Sequence, residues 1–167
     1  MHRPRSIPCF AQTCPSKFKT PSGLAQHVEG NCNKLSITRH HVTAAVQALH
    51  MTPAISLRPA IEGFAPAPPR PLIAYRASQL QIAFNGNRYQ CQICNKTFLS
   101  LYSLEAHLNS PVHDEDEFKC PKCERQFSLV SGLVQHLESA SCGLSGIEDV
   151  GRRFARMTFG FSRSLAL

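Results

Sequence analysis

The sequence contains no apolar run close to the roughly 20 residues that a membrane-spanning helix needs. Its first residues, Met1 to Cys9, include basic side chains but no apolar segment of the kind that a secretory signal requires. We therefore expect an intracellular, reducing compartment. The sequence also lacks a glycine-rich phosphate loop and a nucleophile with a convergent base, so we expect no enzyme.

No cysteine stands outside a repeated Cys/His pattern. The 167 residues include eight cysteines, and they fall into three sets, each joined by a histidine thirteen positions after its second cysteine. An even number of cysteines also fits a secreted disulfide framework, but disulfides need no histidines. The spacing therefore predicts three tetrahedral zinc sites. Their predicted ligands are Cys9, Cys14, His27 and Cys32; Cys91, Cys94, His107 and His113; and Cys120, Cys123, His136 and Cys142.

The spacing within each set predicts a small ββα unit. A hairpin supplies the first two ligands, and the following helix returns the histidine and the fourth ligand. A phenylalanine and a leucine lie between them, as Phe98 and Leu104 do in the second unit. Because about 25 residues cannot bury enough surface to fold alone, zinc is the core of each unit. Four protein ligands leave no open position, so we expect structural rather than catalytic metals.

These motifs resemble the C2H2 zinc-finger family across about half of the chain. The second unit, with five residues between His107 and His113, resembles the matrin-like, double-stranded-RNA-binding subgroup. That resemblance implies recognition of A-form shape through phosphates and 2′-hydroxyls. The two fingers that end in cysteine share Ser-Gly-Leu-x-Gln-His-x-Glu. With the proline-rich spacer, they also resemble uncharacterised multi-finger C2H2-domain proteins of filamentous fungi, a resemblance that implies no particular activity.

The sequence predicts three small zinc-stabilised ββα fingers with accessory amphipathic helices and a Pro-rich, weakly ordered linker. After each Cys-terminated finger, apolar residues at helical spacing predict a helix that either packs on its finger or recruits a partner. The proline-rich segment suits a spacer or a ligand for an aromatic groove. His40, His41 and His50 suit a solvated helix face or a fourth metal site. The predicted divisions are finger 1 (7–34), a helix (36–52), the linker (53–88), finger 2 (89–113), finger 3 (118–142), a second helix (145–158) and a tail (159–167).

The basic charge lies outside the paired fingers. The chain has a net charge of +7, yet residues 89–142 carry −3, so any phosphate-tracking surface lies on the first finger, the linker or the tail. At the helix positions that read bases in this family, no finger offers Arg, Lys, Asp or Asn. These positions are Thr20, Gly23 and Gln26; Ser100, Ser103 and Ala106; and Leu129, Gly132 and Gln135.

Two functions remain open from the sequence. The first is a nuclear protein associated with DNA or double-stranded RNA, of low sequence specificity and acting in transcriptional regulation. The alternative is a protein-protein interaction module that uses the fingers and their trailing helices. Both require three zinc ions per chain, and neither involves a membrane or a small-molecule substrate. The candidate nucleic-acid contacts are Lys17, Lys19, Gln26, Lys96, Gln135, Arg152, Arg153 and Arg156.

Overall fold

The structure, a computed structural model, forms two compact units. The first unit combines residues 1–70 with 116–167, and the second spans 71–115. The helix expected over 145–158, the tail over 159–167 and most of the proline-rich linker lie outside the described residues. No helix within the described ranges has the length and apolar character needed to span a membrane. The structure describes residues 4–11, 13–30, 32–35, 37–48, 55, 57, 75–76, 78 and 83–143.

Each finger consists of a two-stranded antiparallel hairpin followed by a helix. Finger 1 comprises β1 (Ile7–Pro8), β2 (Lys17–Phe18) and α1 (Pro21–Glu29), followed by α2 (Arg39–Ala48). Finger 2 comprises β3 (Tyr89–Gln90), β4 (Thr97–Phe98), α3 (Leu101–Leu108) and a 3₁₀ turn (Pro111–His113). Finger 3 comprises β5 (Phe118–Lys119), β6 (Gln126–Phe127) and α4 (Val130–Glu138). The expectation of three ββα fingers is confirmed.

The hairpins of fingers 2 and 3 turn tightly around their cysteine pairs. In finger 2 the Cys91 N–H donates to the carbonyl of Lys96 at 2.8 Å, and the Asn95 N–H donates back to the Cys91 carbonyl at 2.9 Å. Asn95 has a φ of 58°, and Glu124 takes the same place in finger 3 with a φ of 55°. This left-handed residue closes the turn that aims both thiols at one point.

The same aromatic contact lies under each metal site. The second-strand phenylalanine of each finger packs against the first histidine ligand, with ring centroids 4.8 Å apart for Phe18 and His27. The matching distances are 4.7 Å in finger 2 and 5.2 Å in finger 3. This packing fixes the plane of each imidazole.

The first and third fingers share one hydrophobic core. Helix α2 contributes Val42 and Val46 to it, so this helix covers its own finger, one of the two roles expected from the sequence. The core continues into finger 3 through Phe118, which is fully buried. The buried helical side chains of the two fingers are Leu24, Ala25, Val28, Val130, Leu133, Val134 and Leu137.

Helices α1 and α4 run antiparallel and cap one another. At the end of α1, the Glu29 carboxylate accepts hydrogen bonds from the backbone N–H groups of Val130 (2.8 Å) and Ser131 (3.1 Å) at the start of α4. At the end of α4, Glu138 accepts from the backbone N–H of Ser22 (2.9 Å) and from its hydroxyl. Each helix therefore supplies the acceptor for the free N–H groups of the other.

The second unit has its own core and an N-terminal extension. Ala83, Cys91 and Leu104 are buried together, and Tyr75 packs against them. The Tyr75 backbone is held by the Asn109 side chain, which accepts from its N–H at 2.9 Å and donates to its carbonyl at 3.0 Å. Asn109 is also the C-cap residue of α3. The Asn109 side-chain amide thus holds the backbone at Tyr75 against the C-terminal end of α3.

We expect Asn109→Ala to destabilise the second unit by about 1–3 kcal/mol, because two hydrogen bonds to the Tyr75 backbone are lost. The decrease appears as a lower thermal midpoint of the zinc-loaded chain and as faster amide exchange at Tyr75. Asn87→Ala, on an exposed turn of the same unit, is the matched control. Equal behaviour of the two variants would contradict the prediction.

Candidate metal centres

The structure brings the twelve predicted ligands into three groups of four. Within each group the Sγ and imidazole nitrogen atoms all lie within 4.8 Å of one another. In finger 1 the hairpin provides Cys9 and Cys14, and the last turn of helix α1 provides His27. The first cysteine of each group is buried. No other potential metal cluster occurs within the described ranges.

The distances between ligand atoms fit a tetrahedral zinc ion. Zn–S bonds of about 2.3 Å and Zn–N bonds of about 2.0–2.1 Å require S–S separations near 3.8 Å, S–N near 3.5 Å and N–N near 3.3 Å. In finger 2 the His107 and His113 Nε2 atoms are 3.1 Å apart, and the S–N distances to Cys94 and Cys91 are 3.4 and 3.3 Å. In the Cys-terminated fingers the S–S distances are 4.0 and 3.7 Å.

These donor sets define the chemistry. Three thiolates and one imidazole in fingers 1 and 3, and two of each in finger 2, are the soft and borderline ligands that zinc prefers. The protein holds three zinc ions per chain. Because every group has four protein ligands, each site is coordinatively closed and stabilises the fold rather than activating water.

The zinc ligand His136 has a hydrogen-bonding partner outside the metal site. The Nδ1 atom of His136 lies 3.2 Å from the Ser141 hydroxyl, while its Nε2 atom faces the Cys123 sulfur. With Nε2 on the metal, Nδ1 carries the proton and donates to Ser141. Such a hydrogen bond fixes the orientation of the ring and raises its basicity.

Burial and hydrogen bonding give the two hairpin thiols of finger 1 opposite tendencies. The Ser16 hydroxyl and backbone N–H lower the pKa of Cys14 to about 6. Burial raises the pKa of Cys9 to about 12. Hydrogen bonds from Ser16 thus favour the thiolate at Cys14, and burial favours the thiol at Cys9.

Fingers 2 and 3 show related effects. In finger 3 burial acts to raise the pKa of Cys120, but hydrogen bonds from the backbone of Cys123 and Lys122 bring it down to about 6. In finger 2 burial lowers the pKa of His107, and the charges of His113 and Lys96 lower it further. The neutral imidazole is the form that ligates zinc.

The candidate nucleic-acid contacts are distributed over several surfaces. The side chains of Lys17, Lys19, Gln26, Lys96 and Gln135 are exposed. Arg152, Arg153 and Arg156 lie outside the described residues. Of the three histidines expected on a solvated helix face or at a fourth metal site, His41 accepts a hydrogen bond from the Thr38 backbone N–H at 3.1 Å at the start of α2. This is a local helix-capping role.

The sequence analysis missed the two glutamates that join fingers 1 and 3. Glu29 and Glu138 occupy the same place in the repeat, two residues after the histidine ligand. Burial raises the pKa of Glu29, while hydrogen bonds from Ser131 and Val130 and the charge of Arg39 act against that rise. Leu129 in the sequence could have indicated this contact. It is the N-cap residue of α4 and makes no side-chain capping hydrogen bond, so the helix requires an acceptor from elsewhere.

Comparison with known proteins adds three findings. Residues 89–113 match a family described as a zinc-finger of C2H2 type. The chain is also similar to "Zinc finger protein 1" of Drosophila melanogaster, with 34% identity in an alignment of 70 positions that covers 39% of this chain. The matched region is 6% of the fly protein, so the chain covers a small part of that relative. No solved structure matches the chain.

We expect Ser141→Ala to weaken zinc binding at the third site roughly 10-fold, because the hydrogen bond that orients His136 is lost. Competition against a chromophoric chelator measures the change, and the second site in the same chain is the internal reference. An unchanged affinity at the third site would contradict this role.

We also expect zinc affinity at the first site to fall as the pH falls. Protons compete with zinc for the three thiolates of this site, so acidification favours the protonated, metal-free cysteines. Cys9 is protonated at neutral pH without metal, so zinc uptake there releases a proton. Chelator competition across a pH series, with released protons followed by an indicator dye, tests the sign. An affinity that rises on acidification would contradict it.

Proposed function

Because the three Cys/His groups, the family match and the fly relative fit a C2H2 zinc-finger protein, we propose that this chain binds double-stranded nucleic acid in the nucleus through its second finger. The finger reads A-form shape, which makes double-stranded RNA the favoured target. Sequence specificity is low, and the role is in transcriptional regulation. Zinc supplies the fold of the reading surface and takes no part in chemistry.

The observation that supports this most is the open reading face of helix α3. Its start is capped locally, with the Ser100 hydroxyl accepting from the Ser103 backbone N–H at 3.1 Å. The side chains of Ser100, Tyr102, Ser103 and Ala106 are all exposed. Nothing within the finger covers the helix end that this family inserts into a groove.

The helices of fingers 1 and 3 differ at that end. The N–H groups of Val130 and Ser131 at the start of α4 are bound by Glu29, and the N–H of Ser22 at the start of α1 is bound by Glu138. Each helix start therefore carries a carboxylate where a phosphate or a base edge would approach. Negative charge at that point repels the nucleic-acid backbone. Groove insertion by these two helices would require the pair to separate.

The side chains on the open face suit shape recognition. Serine and tyrosine hydroxyls both donate and accept, as contacts to 2′-hydroxyls and phosphates require. Lys96 is exposed beside the zinc-binding turn and offers a phosphate contact. The face lacks the arginine and asparagine side chains that discriminate bases in pairs of hydrogen bonds. Low sequence specificity follows.

Exposed apolar side chains on finger 2 favour a second candidate, docking to a protein. Leu99 is 79% exposed, Tyr102 78% and Ile93 58%. Exposed apolar groups that lie close together mark interaction surfaces, and aromatic residues are enriched there. Protein docking of this kind responds weakly to salt, whereas phosphate contacts weaken steeply as salt rises.

The deciding experiment titrates the zinc-loaded chain with matched double-stranded RNA and DNA over a range of salt concentrations. We expect tighter binding to RNA and a clear salt dependence. Lys96→Gln should reduce the slope of log affinity against log salt by roughly 1, since one phosphate contact is removed. Lys34→Gln, on the first finger and also exposed, is the matched charge comparison. The slope stays unchanged if the second finger is the binding surface, whereas a reduced slope would place the phosphate contacts on the first finger, as the charge distribution predicts.

Two outcomes would overturn the proposal. The first is no binding to either duplex while three zinc ions are bound. The second is salt-independent binding that Leu99→Ser with Tyr102→Ser abolishes and Lys96→Gln leaves intact, which would support protein docking instead.

A further inference from the structure

We propose that the first and third zinc sites load cooperatively, as one two-metal unit, and that Glu29 and Glu138 are the positioning residues that couple them. This inference does not depend on the nucleic-acid function. It rests on the reciprocal helix caps, the shared core and the position of each glutamate beside a zinc ligand.

The start of α4 depends on finger 1. Its N-cap residue is Leu129, which has no polar group to receive the free backbone N–H groups. Glu29 fills that role with both carboxylate oxygens, at 2.8 and 3.1 Å, and it is itself only 7% exposed. A charged acceptor at a helix start binds more strongly than a neutral one.

The start of α1 depends in turn on finger 3. Thr20 caps this helix locally by accepting from the Gly23 backbone N–H at 3.1 Å. The Ser22 N–H, however, donates to Glu138 at 2.9 Å, and the Ser22 hydroxyl binds the other oxygen of that carboxylate. The two caps are equivalent positions of the repeat, so the dependence operates in both directions.

Each capping glutamate lies two residues after the histidine ligand of its own finger. His27 lies two residues before Glu29, and His136 lies two residues before Glu138. Zinc at the first site holds the last turn of α1 in its helical form, which places Glu29. Zinc at the third site does the same for Glu138. Loss of either metal therefore releases the acceptor that the other finger needs.

The apolar contacts act in the same direction. Ala25 and Val28 of α1 are buried in one cluster with Val134 and Leu137 of α4. If one finger unfolds, these side chains of the remaining finger become exposed to water. Because a single finger folds only with its metal, this exposure adds to the cost of binding zinc at one site alone.

The coupling has a measurable size and symmetry. Coupled binding sites typically alter one another's affinity by roughly 5–150-fold, and the factor must be equal in both directions. We expect the zinc affinity of the first site to fall by such a factor in His136→Ala. The affinity of the third site should fall by the same factor in His27→Ala. Site 2, in the other compact unit, should change less than about 2-fold and serves as the reference.

The test uses the full chain with Cys91→Ser and Cys94→Ser, which removes the second site and leaves two metals to count. Native mass spectrometry during zinc titration then gives the populations with no, one and two ions. We expect the one-zinc species to stay well below the statistical share for independent sites. A one-zinc species at or above that share would overturn the proposal.

The caps are tested by Glu29→Gln with Glu138→Gln in the same background. All zinc ligands remain. In Glu29→Gln one of the two backbone N–H donors of α4 faces the side-chain N–H₂ group and loses its hydrogen bond. In Glu138→Gln the side chain still reaches the Ser22 N–H and hydroxyl, but the negative charge that favours a helix start is removed. We expect the one-zinc species to increase. The control, Glu105→Gln with Glu115→Gln, makes the same chemical change in the second compact unit and should leave the populations unaltered.

The variants His27→Ala and His136→Ala still test the proposal if the chain that carries Glu29→Gln with Glu138→Gln does not fold. They need no intact pair, since the measured quantity is the affinity of the remaining site. Equal losses in both directions support coupling. An unchanged affinity, or losses that differ between His27→Ala and His136→Ala, would overturn it.

Discussion

The closure of four ligands around one zinc ion is the constraint on which the rest of this structure depends. Strands of two residues and helices of eight to ten cannot persist alone in water. The metal joins hairpin to helix and thereby creates the surface on which Phe98 and Leu104, or their counterparts, can pack. In fingers 1 and 3 the same closure places a glutamate at the helix end. The association of fingers 1 and 3 thus depends on zinc binding within each finger.

The two compact units use their metal-stabilised helices differently. In the first unit, α1 and α4 bury their apolar sides together and satisfy each other's backbone. In the second unit, α3 is capped by its own Ser100 and keeps its reading face exposed. Glycine stands at the third helix position in both members of the pair. A Cβ at Gly132 would lie 3.4 Å from the Phe127 ring. Finger 2 has Ser103 there, and its hydroxyl lies 2.8 Å from the Ser100 hydroxyl.

Local spacing predicted the local structure well. The intervals between cysteine and histidine specify a metal site, and an aromatic residue on the second strand followed by a leucine on the helix specifies the small core. The association of fingers 1 and 3 could not be predicted in this way. Its hydrogen bonds join residues 101 to 116 positions apart, such as Glu29 with Val130 and Ser22 with Glu138. The glutamate was visible in the repeat, but a repeated motif does not reveal that its copies bind one another. The link from Asn109 to Tyr75 was hidden for a similar reason, because an asparagine at a helix end already has a local explanation.

The finger pair encloses the second finger within its sequence, since the first unit is made of two separate stretches of chain. The second finger is therefore an insertion in the sequence between fingers 1 and 3, which contact each other directly. The entropy of closing such a loop grows only with the logarithm of its length, at about 0.6 kcal/mol for each doubling. The intervening chain can therefore be lengthened, shortened or replaced with little effect on the pair. A closed double finger of this kind is a scaffold on which an inserted binding element can diversify while its support stays the same.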